Sequence, residues 1–224
     1  SALIKFPDLA GEIIHATKEA TKLPVSVKTR TGFSHHVTEE WIGFLLSQDP
    51  AAIILHARTQ KMQTEFPAEW EEMGKALALR NAQYPHIPII GNGDVFSMQQ
   101  AAELQEQYPI DGYMIGRGIF HNPWFFTDNY EPSISTRLDT LLEHSRLYVN
   151  TWGRDRNFQV LKRFFKIYVS GFLDAAVLRA KLMETNNLEE LEMMIVDFKY
   201  ALAIEKEYRE LSLVFFQRKQ NENK

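Results

Sequence analysis

Four apolar runs alternate with segments of helical periodicity over about the first 125 residues, and this alternation constrains the fold more than any other feature of the chain. LPVSVKTR, from Leu23 to Arg30, AAIILHART from Ala51, HIPIIGNGD from His86 and IDGYMIGRG from Ile110 each read as a strand, rich in β-branched residues and ending in polar ones. Between them lie helical patterns: PDLAGEIIHATKEAT, from Pro7 to Thr21, a segment opened by Thr38 and Glu39 that carries Trp41, Phe44 and Leu45, AEWEEMGKALALRNA, and SMQQAAELQEQY with Ser97 as its cap. Buried strands separated by helices pair in parallel, so the spacing predicts βα units. Four strands are visible, near Val25, Ile53, Ile89 and Tyr113, half of what a (β/α)8 barrel needs. The chain opens on a helix, as though the preceding strand lay upstream.

After NPWFF the pattern changes. From about Ser133 to Phe216 it is helical throughout, in amphipathic segments suited to a small bundle: STRLDTLLEHSRLYVNTW, FQVLKRFFKIYVSGF, DAAVLRAKLME and NLEELEMMIVDFKYALAIEKEYRELSLVFF. The boundary is expected between Asp128 and Pro132, giving an α/β domain over 1–128 and a helical domain over 129–224. The closing QRKQNENK has no periodicity and is expected to fray.

Of the 224 residues, 45% are hydrophobic, enough to bury a core of ordinary size. No apolar run reaches the roughly 18 residues of a membrane span and no cleavable leader opens the chain, so a soluble cytoplasmic protein is expected. Cysteine is absent, which excludes disulfides, thiolate metal sites and a cysteine nucleophile or acid within these residues. The net charge of -4 gives no global sign of nucleic-acid binding. It is unevenly spread, however: nine Lys and Arg against four acids make Arg137 to Lys181 a +5 stretch. Such a run is either a solvated face or a contact surface for phosphates.

In parallel α/β folds the ligand sits at the carboxyl ends of the strands. The polar residues there are Lys28 and Arg30, His56 and Arg58, Asn92 and Asp94, and Arg117. Glycines in IIGNGDVFS and YMIGRGIFHNPW let backbone NH groups of Gly91–Asp94 and Gly116–Gly118 approach an anion, with a helix amino terminus behind and Arg117 as a donor fork. Either turn alone is compatible with an ordinary tight connection; two in succession, one bearing an arginine, favour a phosphate. His35 and His36 read as an exposed loop pair, and without cysteine or a spaced carboxylate no metal site is expected. Trp124, Phe125 and Phe126 read as packing between the two domains rather than as a platform for bases.

VKTRTGF, ILHARTQ, IIGNGDVFS and DGYMIGRGIFHNPWFF, in this order, resemble the second half of the tRNA-dihydrouridine synthases, FMN-dependent enzymes that reduce uridine in tRNA. The helical tail resembles that family's C-terminal domain. The resemblance implies the last four βα units of an FMN-binding TIM barrel followed by a helical tRNA-binding domain, with NADPH as reductant. It implies that Lys28 contacts the flavin ring, that His56 faces the flavin or the target base, and that Asn92, Gly93 and Asp94 hold the ribityl chain and phosphate, with Gly116 and Arg117 closing the cradle. Arg30 and Arg58 would lie on the substrate side, and Lys162, Arg163 and Lys166 would contact tRNA. Family members also carry an upstream half-barrel and a Gly-Cys-Pro element whose cysteine protonates C5 of uracil. Neither is in this chain, which is therefore expected to be a C-terminal fragment, inactive alone and partnered by a missing N-terminal half. Another FMN-binding barrel oxidoreductase, or a non-catalytic RNA-binding remnant, are the competing readings.

Overall fold

The computed structural model describes residues 1–127, 130–153 and 155–204. The expectations for the tail QRKQNENK, for helix beyond residue 204, for Arg154 and for a boundary at Asp128 fall outside them. The chain divides into two compact units, Ser1–Asp128 and Asn129–Lys224.

In the first unit a 3-10 turn, Ala2–Lys5, leads into α1, Pro7–Ala20. Proline at the first helical position and Asp8 in the first turn both favour the start, one through its fixed φ and the other through the helix dipole. Then follow β1 (Ser26–Gly32), α2 (Thr38–Ser47), β2 (Ala52–Thr59), α3 (Glu71–Gln83), β3 (Ile89–Asn92), α4 (Met98–Gln107) and β4 (Gly112–Met114). Ser97 caps α4 as expected, its hydroxyl accepting from the Gln100 amide at 3.1 Å. The first strand starts later than the sequence suggested, because Leu23 stands 75% exposed ahead of Pro24, which has no NH to give a ladder. The last strand is only three residues long.

All four strands are parallel, in the order β1-β2-β3-β4. The crossovers between sequential neighbours pack α2 and α3 against one face of the sheet, as right-handed βα connections would. That face holds the core: Ile53, Leu55, Ala57 and Ile89 pack with Ile42, Leu45 and Leu46 of α2 and Met73 and Ala76 of α3, each of them fully buried. The alternate residues Lys28, Arg30, Ile54, His56, Ile90, Asn92 and Met114 share the opposite face. A doubly wound sheet would carry helices on both faces; a sequential sheet covered on one side is consistent with part of a TIM barrel. Among the described residues no strand pairs with the outer edge of β1 or of β4. Beside β1 a cavity of about 290 Å³ opens between Ile14, Val27 and Trp41, and Leu3, Phe6, Leu9 and Ile13 remain exposed nearby. A one-turn helix, α5 (Gly118–His121), follows β4, and Phe125 is buried in the core of this unit while Phe126 is exposed.

The second unit is helical: α6 (Ile134–Trp152), a 3-10 helix (Phe158–Phe164), α7 (Phe165–Tyr168), α8 (Ala175–Leu182) and helix over residues 188–204. Ser133 caps α6 through the Thr136 amide, and its core is Leu138, Leu141, Leu161, Phe165, Leu178, Leu191 and Ile195. The amphipathic helix expected over FQVLKRFFKIYVSGF is instead the 3-10 segment and a single α turn. Arginines take up the carbonyls left open where it stops: Arg137 donates to Ser170 O and Arg179 to Val169 O.

Leu55 lies in the middle of the sheet, so Leu55→Ala is expected to lower the unfolding free energy by about 2–5 kcal/mol in a urea titration. Leu147→Ala, at a position 64% exposed, should change it by no more than about 0.5 kcal/mol. Similar effects at the two positions would contradict the assignment of the covered face.

Candidate functional site

Parallel register decides which side chains meet. Arg30 pairs with His56, His56 with Asn92, and Asn92 with Met114, so four strands contribute one level row at the carboxyl end of the open face. Lys28 sits two residues below Arg30 on the same face. Its ammonium donates to Asn92 Oδ1 at 3.2 Å, reaching across β2, while Asn92 Nδ2 donates to the Met114 carbonyl at 2.7 Å. Asn92 thus ties β1, β3 and β4 together at the rim.

Just above this row lies a cavity of about 110 Å³, lined among others by His56, Asn92, Gly93, Asp94, Gly116 and Arg117. Six of the seven residues expected at a cofactor meet here, and Lys28 is joined to them through Asn92. The glycines have different reasons for being there. A Cβ at Gly91 would stand 2.6 Å from Ile110 and 2.9 Å from Trp70, and one at Gly118 2.5 Å from the Val95 carbonyl. Gly93 has φ +134° and backs onto Ala68. The fold itself demands these three. Gly116 meets nothing within 4 Å, so what its missing side chain leaves is open approach to the backbone at the cavity wall. No long helix amino terminus abuts either turn, since α4 begins at Met98 and α5 is a single turn. Positive potential here comes from side chains instead.

Those side chains are Lys28, Arg30, Arg58 and Arg117, and Asp94 is the one acid among the described residues lining the cavity. Burial, and then the charges of Arg30, Lys28 and Arg58, hold the His56 imidazole down at about 4. It is therefore neutral at neutral pH. Arg58 Nη1 lies 3.3 Å from His56 Nε2; an arginine can only donate, so Nε2 accepts and the proton sits on Nδ1. Burial and the Arg30 charge also lower Lys28. Asp94, at φ 53°, is lowered as well: burial pushes its carboxyl up, but the Ala68 amide and the Arg58 and Arg117 guanidiniums outweigh that.

Two of the residues expected on the substrate side are less accessible than the sequence suggested. Arg58 borders the cavity but is buried. It is only 2% exposed, with Nε donating to the Phe66 carbonyl at 2.7 Å and Nη2 to Asp94 at 2.5 Å, because the loop after β2 folds back over it. Lys162, in the second unit, is 6% exposed and donates to the Met183 carbonyl at 2.6 Å, so its charge is committed inside the bundle. Arg163 and Lys166 do stay exposed; Arg163 lies over the Phe164 ring, as Arg156 lies over Trp152. Arg30 is half-buried and donates to the Thr59 carbonyl at 2.7 Å.

Sequence reasoning also missed a polar clip between the loops after β1 and β2. His35 is exposed, but His36 turns inward, with Nδ1 2.7 Å from Thr31 Oγ1 and Nε2 3.2 Å from Glu69. Glu72 beside it accepts from Thr38 and from Lys75. Glu69 and Glu72 stood in the sequence as surface positions at the start of a helix, with nothing to announce a histidine from 33 residues upstream. Among the described residues no group of three or more potential ligands could hold a metal, and no helix is long and apolar enough to cross a membrane.

The match to known proteins covers this whole arrangement. The family model for dihydrouridine synthases matches residues 1–203. The chain belongs to the dihydrouridine synthase family. Over 204 residues it is 42% identical to a probable tRNA-dihydrouridine synthase of Staphylococcus aureus (strain MRSA252), an alignment covering 89% of the chain and 61% of that relative. It is 40% identical over 212 residues to the probable tRNA-dihydrouridine synthase 2 of Bacillus subtilis (strain 168), covering 92% of the chain and 64% of the relative. A Staphylococcus epidermidis (strain ATCC 12228) protein named in the same way is 39% identical over 203 residues. The chain thus spans about three fifths of the length of the curated relatives it matches.

An unfolded histidine titrates near 6.5 and folded His56 near 4, so between these values the unfolded chain of this dihydrouridine synthase family member binds more protons. The stability contributed by His56 is therefore complete above about pH 6.5 and lost as the pH falls toward 4. His56→Gln should flatten the fall in melting temperature across that window. Parallel pH profiles for the two proteins would contradict the neutral, buried imidazole.

Proposed function

We propose that this chain supplies the phosphate cradle, flavin-facing side chains and RNA-facing helices of an FMN-dependent tRNA-dihydrouridine synthase that uses NADPH to reduce the C5=C6 bond of uracil. The observation that carries the reading is the cationic rim closed over a small cavity, with one acid and a glycine whose Cα faces open space. Such a site fits a phosphate monoester: Arg117 offers a donor fork, the backbone at Gly116 and Gly93 can come close, and the cavity suits a group of that size.

In this reading residues 1–128 are the last four βα units of a (β/α)8 barrel, completed by strands that pair with the outer edges of β1 and β4 and cover the exposed Leu3, Phe6, Leu9 and Ile13. When bound, FMN supplies hydride chemistry, between NADPH and C6 of the uracil. The chain's own residues do the rest of the holding. Lys28, fixed by Asn92 Oδ1, would help to hold the cofactor and offer it a positive charge. His56 stays neutral, with Nε2 accepting from Arg58 and the proton left on Nδ1 as a hydrogen-bond donor. Arg30 lies on the substrate side. Asp94, whose carboxylate is taken up by two arginines, serves the cradle by fixing Arg117 rather than by touching the phosphate. The proton for C5 comes from a cysteine that this chain lacks.

Residues 129–224 would meet tRNA through phosphate contacts from exposed cations, Arg163 and Lys166 among them, while Lys162 is buried. Extrusion of a stacked uridine calls for an RNA-binding surface of this kind.

Two measurements test the reading. Arg117→Ala should weaken FMN binding, followed by flavin fluorescence, by about tenfold or more; undiminished occupancy would remove the phosphate assignment. Reversing the charge of Arg163 and Lys166 together should weaken binding of transfer RNA by about tenfold at low salt and make it less salt-dependent. If the gel shift were unmoved, this helical face would not be the RNA surface.

A further inference from the structure

An acid beside an anion site is an electrostatic liability. Asp94 lines the cavity, and its Oδ1 lies 2.6 Å from Arg117 Nη2, so the cradle's own cation already has a carboxylate for company. Were these two the whole site, their charges would cancel and leave nothing to attract a dianion. The structure adds a third member. Arg58 Nη2 lies 2.5 Å from Asp94 Oδ2, and the same oxygen accepts from the Ala68 amide at 2.9 Å. Arg58 is 2% exposed, while Arg117 is 46% exposed in its side chain. One arginine is thus buried in the cavity wall and the other reaches the mouth.

We propose that Arg58 is a positioning residue for the anion site: it neutralises and anchors Asp94 from beneath, so that Asp94 can aim Arg117 without cancelling its attraction for a phosphate monoester. The three groups together carry one net positive charge. The buried member borders the cavity but offers a ligand little surface, because its Nε, Nη1 and Nη2 are turned to the Phe66 carbonyl, His56 and Asp94. Its contribution is nonetheless electrostatic, since a charge in a poorly hydrated place is weakly screened. The geometry also links the loop after β2 to the cradle: Phe66 O and Ala68 N hold the two ends of the Arg58–Asp94 pair, so binding and loop order share one set of contacts. This inference rests on the phosphate reading above and extends it to a residue buried beneath Asp94.

The test is binding of FMN and of inorganic phosphate to the full chain, with folding checked by circular dichroism. Arg58→Gln should weaken both by about tenfold, as removal of one member of a buried charge pair does. Arg58→Lys, which keeps the charge but not the fork, should recover most of the loss, to within about threefold of the parent chain. The double variant Arg58→Gln with Asp94→Asn leaves Arg117 alone at the mouth and should likewise return to within about threefold. If both of these bind as poorly as Arg58→Gln, the shape of the guanidinium and not its charge is what matters, and the proposal falls. Should Arg58→Gln not fold, the double variant, which leaves no charge unpaired, carries the test: affinity near that of the parent chain supports the proposal and a tenfold loss overturns it. If the parent chain binds neither ligand, or Arg117→Ala binds as well as the parent, the phosphate reading itself is wrong and takes this one with it. If Arg117→Ala weakens binding and Arg58→Gln does not, only the role given to Arg58 is refuted.

Discussion

Like charges crowd one end of a four-stranded parallel sheet, and much of the first unit is arranged around the cost of keeping them there. Register places Arg30 and His56 side by side, with Lys28 two residues below and Arg58 two residues above on the same face. Four groups that can be positive cannot all be so at this spacing without compensation. The structure answers in three ways: His56 is held neutral, Lys28 is lowered, and Asp94 is drawn in between Arg58 and Arg117. A surplus of positive charge survives at the mouth, which is the electrostatic signature of a site for an anion.

That arrangement needs a stiff frame, and the frame comes from close packing rather than from loop chemistry. Gly91, Gly93 and Gly118 are glycines because Trp70, Ala68 and the Val95 carbonyl leave no space for a Cβ. Trp70 also donates to the Gly93 carbonyl at 3.1 Å, fixing the turn that carries Asp94. Above them the polar clip of His36, Glu69 and Thr31 joins the loop after β1 to the one after β2. The loop after β3, which lines the cavity, is thus held by a side chain from the preceding βα unit.

Strand positions, their parallel pairing and the meeting of polar residues at one rim were legible because apolar period and strand-end polarity are local signals. Depth was not. Arg58 and His56 alternate correctly onto one face, but the pattern cannot say that residues 60–68 fold back and close over the arginine. The burial of Lys162 was hidden for a related reason: a helical reading of FQVLKRFFKIYVSGF turns it outward, whereas in the 3-10 segment its amine donates to the Met183 carbonyl. His36 could not be foreseen because its partners come from another unit of the chain. The glycines misled in the opposite direction, for three that suggested ligand approach turn out to serve packing, and Gly116 alone keeps its Cα facing open space among the four that border the two turns.

Membership in the dihydrouridine synthase family rests on similarity along the chain, and the cationic cradle on charge and geometry. The central claim is that this cavity reads a phosphate. The most direct measurement compares the affinity of the chain for FMN with its affinity for riboflavin, two ligands that differ by the phosphate alone. The account requires FMN to bind at least about tenfold tighter, with the difference shrinking as salt is raised. Equal affinities at low salt would contradict it.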